Sequence, residues 1–200
     1  MLIQKRTDKP ILTAAVTGRM VLLLFALAAG PSIAGDVAAG ETFDQDNVLH
    51  EATEFLGEGT AGIADVIEKL FSDLGQPTAF IKGQEASGAL GIGARYGNGI
   101  LHRKAGDTTP VHWSGPSVGF DAGANASKVF VLVYHLPNAD ALFRRFPALD
   151  GSFYLVGGVS ANYHQAGDII LAPIRLGVGL RAGVNIGYMK YTRKKTWNPF

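Results

Sequence analysis

Residues 91–99 read Gly-Ile-Gly-Ala-Arg-Tyr-Gly-Asn-Gly, and residues 177–187 read Gly-Val-Gly-Leu-Arg-Ala-Gly-Val-Asn-Ile-Gly. Successive side chains of a β-strand point to opposite faces, so each stretch places its glycines and one arginine on one face. Residues 117–123 have a third face of small side chains that also carries an aspartate. Glycine weakens a strand unless the backbone must bend sharply or approach another group closely. These stretches therefore predict a tightly curved sheet of the kind that forms a small β-barrel.

Three charged side chains share those glycine-rich faces: Arg95, Arg181 and Asp121. If the faces are buried the charges must pair, because an unpaired buried charge costs several kcal/mol. We expect a structural charge pair between Asp121 and Arg95 or Arg181. Alternatively, one arginine remains to hold an anionic head group, with Arg95, Trp113, Arg175 and Arg181 as the candidate ligand-binding residues. The arginines would supply bidentate donors and Trp113 an apolar plane, although core packing is the simpler role for Trp113.

The chain from residue 75 onward indicates a succession of strands with alternating or β-branched residues. The predicted strands are Thr78–Lys82, Leu90–His102, Val111–Phe120 and Lys128–Leu136, a strand or hairpin at Ser152–His164, and at least two strands in Ile169–Tyr191. Apolar residues at helical spacing predict a helix over 61–74, and Asn138 can cap a short helix over 138–146. The fold class is therefore mainly β: a small soluble antiparallel β-barrel of about 8–10 strands, with one amphipathic N-terminal helix and one short inserted helix.

The N-terminal part of the chain divides into a signal for export and an acidic arm. Residues 1–34 combine a basic start, ten apolar residues at Met20–Ala29 and small residues before a cut after Ala34. Ten residues are too few for a membrane span of about 20, so a cleaved secretory signal is favoured over an uncleaved anchor. Residues 35–60 form an acidic arm, either loose or with a short helix, and 61–200 form the helix and barrel domain. We expect the mature protein to be soluble in the periplasm.

Charge is distributed unevenly along the chain. Residues 35–74 contain ten acids and one base, whereas residues 75–200 contain 13 bases and six acids. The acidic arm can dock on the basic body, or the body can meet anionic lipid or polysaccharide. Cleavage after residue 34 leaves 14 bases and 16 acids, and this balance, with export, argues against nucleic-acid binding.

Motifs for catalysis are weak. The chain has no cysteine, which excludes disulfides, thiol nucleophiles and cysteine-based zinc sites. The stretch Gly-Pro-Ser-Val-Gly around Ser117 matches a nucleophile elbow, but no helix pattern follows it, as a Ser-dependent hydrolase requires. His102 and His112 could meet across a hairpin, yet two histidines make a weak metal site. We therefore expect no enzyme, no catalytic residues, no metal and no cofactor.

A second alternative is an integral outer-membrane β-barrel, because an exported β-rich chain ends in Phe200 and residues 177–188 alternate in polarity. Against it, the alternate positions leading back from Phe200 are polar, and Pro199 interrupts the ladder. The strand 128–136 is also apolar on both faces, as in a water-soluble core.

From Leu74 to Phe200 the chain resembles the domain-of-unknown-function family of periplasmic envelope integrity protein A. The matching stretches are GQPTAFIKGQEASGALGIGARYGNG (75–99), HWSGPSVGFDAGANASK (112–128), VLVY (131–134), FYLVGGVS (153–160), IILAPIRLGVGLRAGVNIGYMKYT (169–192) and TWNPF (196–200). The resemblance implies a secreted small β-barrel with a helix, supporting cell-envelope integrity without known catalysis.

More distantly, residues 95–160 are similar in motif order to the SYLF lipid-binding domain, a resemblance that implies binding of anionic phospholipid. The basic N-terminal helix of that family is acidic here. We expect a non-enzymatic protein that supports envelope integrity, with an anionic lipid or envelope component as partner and peripheral membrane contact.

Overall fold

The computed structural model describes residues 42–57, 62–121, 126–176, 187–196 and 198, with the side chains of 89–92 and 118–121 left out. The predicted signal at 1–34 lies outside the described residues. So do Arg181 and the second glycine-rich stretch.

In the part of the chain that the structure describes, two α-helices precede the sheet. Helix α1 spans Gln45–Leu56 and begins where the Asp44 carboxylate accepts a hydrogen bond from the Asn47 amide at 2.9 Å. Helix α2 spans Gly62–Leu74, which confirms the helix predicted over 61–74, and it ends at Gly75 with a φ of +76°. Within the described ranges, neither helix is long and apolar enough to cross a membrane.

Among the described residues, nine antiparallel strands form one sheet, which confirms the mainly β, barrel-like fold. The strands are β1 Ala79–Arg103, β2 Thr108–Asp121, β3 Ser127–Tyr134, β4 Arg145–Pro147, β5 Tyr154–Val156, β6 Val159–Ala161, β7 His164–Ala166, β8 Ile169–Leu176 and β9 Tyr188–Thr192. Their order is β4-β9-β2-β1-β3-β8-β6-β5, and β7 also pairs with β8.

Strand β1 is continuous through the gap that the sequence predicted between two shorter strands. Its first arm, residues 79–85, pairs with β3, and its second arm, residues 89–102, pairs with β2. The arms lie side by side, because the Phe80 ring stacks on His102 at 5.1 Å and the Lys104 amide donates to the Thr78 carbonyl at 3.4 Å. The strand therefore doubles back, which requires the tight curvature that its glycines predicted.

The curling sheet brings distant strands together at a seam. Ala148, directly after β4, forms a bridge with His164 at the start of β7. The Leu149 amide also donates to the Tyr163 carbonyl at 2.9 Å. Since β7 pairs with β8, the sheet curls into a barrel-like cylinder with an inner and an outer side.

Apolar side chains fill both sides of this cylinder. The described odd-numbered side chains of β1, β2 and β3 point inward into a core formed by Ala79, Ile81, Leu101, Val111, Trp113, Val129, Val131, Val133, Leu136, Leu142, Phe146, Ile169, Leu171, Met189 and Tyr191. The outer side of β1, β3, β6 and β8 packs against α1 and α2. Ile67 and Leu70 of α2 are fully buried there, so the apolar stripe of this helix serves the fold.

The predicted helix over 138–146 is shorter in the structure. A single 3-10 turn spans Ala139–Leu142, with the Asn138 side chain accepting from the Ala141 amide at 3.0 Å as the cap. Strand β4 then begins at Arg145, because Phe146 points into the inner core opposite Met189. Tertiary burial of this aromatic residue overrides the local helical spacing.

Candidate functional site

A buried carboxylate, Glu85, occupies the centre of the polar end of the barrel interior. Arg175 donates to it twice, from Nε to Oε1 at 2.5 Å and from Nη2 to Oε2 at 3.3 Å. The Trp113 indole donates to Oε2 at 3.1 Å, and Arg95 Nε lies 3.6 Å from Oε1. Glu85 is 5% exposed, so this is a buried cluster in which one carboxylate holds two arginines and a tryptophan together.

The electrostatics of the cluster keep Glu85 ionised. Burial alone would raise its pKa, but the positive charges of Arg175 and Arg95, with the hydrogen bonds from Arg175 and Trp113, lower the pKa from 4.5 to about 2. The carboxylate is therefore negative at neutral pH, and it is the described counter-charge of both guanidinium groups.

A chain of hydrogen bonds runs from this cluster to the seam of the barrel. Arg175 Nη1 donates to Asn162 Oδ1 at 3.0 Å, and Asn162 Nδ2 lies 2.8 Å from His164 Nε2. His164 Nδ1 lies 3.3 Å from the Phe146 carbonyl oxygen, which can only accept, so Nδ1 carries the proton and Nε2 accepts from Asn162. Burial lowers the pKa of His164 to about 3, and this ring is neutral at neutral pH.

The Trp113 ring packs closely against the backbone of β1 because the residues beneath it are glycines. Gly97 is its cross-strand partner, and a Cβ atom built on Gly97 would lie 2.1 Å from Trp113 Cε2. A Cβ atom on Gly83 would lie 2.6 Å from both the Asn98 carbonyl oxygen and Trp113 Cη2. The glycines of β1 therefore allow close contact between the arms and leave room for the indole, as the sequence predicted for this face.

A pocket of about 430 Å³ opens beside the cluster, where the two arms of β1 meet the C-terminal segment. Its lining residues are Gln84, Glu85, Ala86, Tyr96, Gly97, Asn98, His112, Trp113, Ala126, Lys195 and Thr196. This combination of apolar surface with a few polar groups, at this volume, is typical of small-molecule sites.

The structure brings three of the four predicted ligand-binding residues together. Arg95, Arg175 and Trp113 all contact Glu85, whereas Arg181 lies outside the described residues. Arg95 lies beside the carboxylate of Glu85, whereas the side chain of Asp121 is not among those described, so the predicted pairing of Asp121 stays a prediction. Asp121 lies opposite Ala89 in the β1–β2 ladder, whereas Arg95 lies opposite Gly115, so the two residues are separated along the strands.

The serine and histidine motifs considered in the sequence lie within the hairpin of β1 and β2. Ser117 lies within β2 opposite Gly93 and is 6% exposed, so the strand-turn-helix of a nucleophile elbow is not formed. His102 faces Thr108 and His112 faces Asn98, so the two histidines do not meet across the hairpin. In the part of the chain that the structure describes, no three His, Asp or Glu side chains are grouped to hold a metal ion.

The sequence interpretation missed Glu85, Asn162 and His164 as members of the cluster. Glu85 shares the inward parity of Ala79 and Ile81, and this signal was available, but the predicted strand ended at Lys82. Asn162 and His164 lie around a short connection between strands, where alternation gives no signal.

The chain was compared with known proteins. The family model described as envelope integrity protein A matches residues 41–200. A solved structure from Brucella abortus, described as a beta-barrel-like, uncharacterized protein, is 41% identical; the match covers 80% of this chain and 99% of that chain with a TM-score of 0.74. The comparison with curated proteins gave no match. Because the family model covers both helices and every strand of the sheet, the protein belongs to the envelope integrity protein A family.

Proposed function

We propose that the protein is exported to the periplasm and supports the cell envelope there as a non-enzymatic binding protein for a lipid or another anionic amphiphile. Family membership implies a role in envelope integrity. The basic n-region and apolar run of residues 1–34 support export. The observation that carries the binding role is the 430 Å³ pocket, which joins aromatic and small apolar surface to amide, imidazole and ammonium groups.

The packing of the barrel interior favours a ligand in the pocket rather than a ligand inside the cylinder. The inner core is closed by large side chains such as Phe146, Leu101 and Tyr191, all of which are buried. At the polar end, Glu85 engages Arg175 and Trp113. An amphiphile inside the cylinder would have to displace these contacts, whereas the pocket beside the cluster is already open.

The same packing bears on the alternative of an integral barrel. The outward residues Phe80, Phe130 and Leu132 form one apolar cluster with α1 and α2. A lipid-facing strand would instead expose such residues to hydrocarbon. Helix packing on these strands therefore supports peripheral rather than integral contact with a membrane.

Two measurements test the proposal. An osmotic-shock experiment locates the protein, and native mass spectrometry of the protein purified from its own envelope fraction detects a bound amphiphile. We expect the protein in the osmotic-shock fluid, carrying an amphiphile whose mass is lost on collisional activation, and retention of the emptied protein on anionic liposomes. A ligand-free spectrum combined with no retention on anionic liposomes would refute the binding role.

A further inference from the structure

The large apolar side chains that stay exposed in the described part of the chain are concentrated in one segment. Four of them lie in the connection from β4 to β6, which includes the edge strand β5, and they are 39% to 49% exposed: Leu149, Phe153, Leu155 and Val156. The other such residue is Ile100 on β1. Scattered apolar residues are ordinary on a protein surface, but a concentration of them marks a surface that binds a partner or a membrane.

The segment also lacks charge. Residues 151–167 contain no Lys, Arg, Asp or Glu, although 18% of the whole chain is charged, and Asp150 stands directly before this run. A protein partner is usually held by apolar anchors inside a polar rim. A run without charged groups instead fits hydrocarbon, where a charged side chain is costly. The composition of the segment therefore favours a lipid surface as the partner.

Hydrogen bonds to α2 fix the segment in place. The Tyr154 hydroxyl donates to Asp73 Oδ2 of α2 at 3.0 Å, and the Tyr163 hydroxyl donates to the same atom at 2.9 Å. Phe153 and Leu155 flank Tyr154 in the chain and remain exposed. Because these tyrosines tie the segment to the fold, its apolar side chains are presented without a loop that must be ordered on binding.

Two cations lie close to this segment. Phe146 of β4 and Met189 of β9 point into the inner core. Arg145 and Lys190 alternate with them, so both point to the outer side, where they lie directly opposite each other. Like charges in such a pair are destabilising, and a negative group between them would offset the repulsion. Leu149 follows Arg145 by four residues, at most about 13 Å along an extended strand.

We propose that the protein docks on a phospholipid bilayer with Leu149, Phe153 and Leu155 inserted at the boundary of head groups and acyl chains. Arg145 and Lys190 then contact anionic head groups, and these five residues form the docking face. Apolar burial and attraction to anionic lipid act together in proteins that lie on a membrane. A second copy of the chain fits less well, because a two-fold interface would bring the cations of two docking faces together.

The docking face is distinct from the pocket, because none of its five residues lines the pocket. It rests on one part of the proposed function, the peripheral contact with a membrane. In that function the pocket takes one amphiphile, whereas the docking face meets the lipid surface, so the two can be tested separately.

Tryptophan fluorescence tests the insertion. The variants Phe153→Trp and Ile100→Trp each place an indole at an exposed apolar position, and β3, β8 and β6 separate β1 from β5 in the sheet. The full mature chain is mixed with vesicles of phosphatidylglycerol and phosphatidylcholine that carry brominated acyl chains, with the wild type as background. We expect bromine to quench Phe153→Trp and to leave Ile100→Trp unquenched, because only the first indole reaches the acyl chains.

Vesicle flotation measures the contributions of the apolar and charged parts. We expect the double variant Phe153→Ser with Leu155→Ser to weaken partitioning at least about tenfold and Ile100→Ser to leave it nearly unchanged. Arg145→Glu should weaken partitioning at least about fivefold on vesicles that contain phosphatidylglycerol and should have little effect on phosphatidylcholine alone. Each variant should unfold close to the wild-type temperature, because the replaced side chains are exposed.

Lys104→Glu is the matched control for Arg145→Glu. Arg145 Cζ lies 4.8 Å from the ring centre of Tyr188, and Lys104 Nζ lies 4.8 Å from the ring centre of Phe43. Both variants therefore lose the same kind of contact. Lys104 lies in the turn that joins β1 to β2, about 20 Å along β2 from the position level with Arg145. This separation exceeds the screening length of about 8 Å, so Lys104→Glu should change partitioning less than about twofold.

The outcomes separate the docking face from the function on which it rests. Equal quenching of the two tryptophan variants, or equal partitioning of the double serine variant and the wild type, overturns the docking face while membrane contact stands. Equal effects of Arg145→Glu and Lys104→Glu overturn the head-group contact. A dimer in size-exclusion chromatography with light scattering that the double serine variant loses would show an interface between copies instead. If the wild type binds no vesicle yet carries an amphiphile in native mass spectrometry, the docking face fails and the pocket function stands.

Discussion

The buried carboxylate of Glu85 provides the sharpest test of how the barrel interior is held together. Replacing it with glutamine keeps the size of the side chain but removes the negative charge. Arg175 and Arg95 then remain at 15% and 11% side-chain exposure without the counter-charge that Glu85 supplies. Breaking a buried ion pair by removing one partner is strongly destabilising, because the remaining charge is left in a low-dielectric interior.

The structure sets the size of the expected effect. Lowering the pKa of Glu85 from 4.5 to about 2 corresponds to about 3 kcal/mol of interaction that favours the ionised form in the folded state. Removal of one partner from comparable buried pairs costs about 3 to 5 kcal/mol. We therefore expect Glu85→Gln to lower the free energy of unfolding at pH 7 by about 3 to 5 kcal/mol, measured by urea denaturation.

The pH dependence gives the prediction a signature that a packing defect would lack. The folded-state pKa of Glu85 is lowered, so its contribution is fully present above the unfolded value of 4.5 and is lost as the pH falls toward about 2. The difference between wild type and Glu85→Gln should therefore be constant between pH 7 and about 5 and should shrink below 4.5. The urea-denaturation midpoints of both proteins, collected across this pH range, measure this difference in stability.

Glu51→Gln is the matched control. Glu51 pairs with Lys82 on the outer side, where the two side chains are 35% and 23% exposed. Such a pair contributes less than about 1 kcal/mol, so the control should unfold close to wild type at every pH. If Glu85→Gln lost no more stability than Glu51→Gln, or if its loss did not change with pH, the buried-cluster reasoning would be refuted.

Three further predictions follow from other contacts. The pKa of His164 is lowered in the folded protein, so the unfolded chain takes up a proton near pH 6.5 while the folded protein does not, and stability should fall below pH 6.5. In the same urea series, His164→Asn should flatten the slope of unfolding free energy against pH between 6.5 and 4.5. An unchanged slope would contradict a buried neutral ring. Gly97→Ala should lower the free energy of unfolding by at least about 2 kcal/mol and alter the near-ultraviolet circular dichroism of the indole, because its Cβ overlaps Trp113. The control Gly88→Ala has open space around its Cβ and should be nearly neutral. Equal melting temperatures of the two variants would show that the arms can move apart. The Tyr134 hydroxyl is fully buried and has no hydrogen-bond partner among the described residues, so Tyr134→Phe should match or exceed wild-type stability, and a loss above about 1 kcal/mol would reveal a partner.

Alternation along the strands was enough to predict much of the barrel. Residue periodicity predicts the shared face of Arg95 and Gly97, the two-sided burial of β3 and the helix at Gly62–Leu74. These features depend on the two repeats of 2 and 3.6 residues, which are local properties of the backbone. The resemblance to the envelope integrity protein A family carried the broader expectation of function, and the family match confirms the resemblance.

The partners across the barrel could not be read in the same way. Glu85 meets Arg175 ninety positions later in the chain, and the pair exists because β3 lies between β1 and β8 in the curled sheet. The contact between Arg95 and Glu85 depends on the doubling back of β1, which brings its two arms together. The strand order, which brings these partners together, leaves no mark on local composition.

The amino-acid order by itself determined which side chains share a face of each strand, where the glycines leave room for close approach, and where the second helix begins and ends. Only the tertiary structure decided which inward charges meet, that His164 closes the seam as a neutral ring, and that a pocket forms beside Lys195. The physical reason is that the direction of a side chain is a property of the local backbone, whereas its partner depends on how distant strands are brought together when the sheet curls.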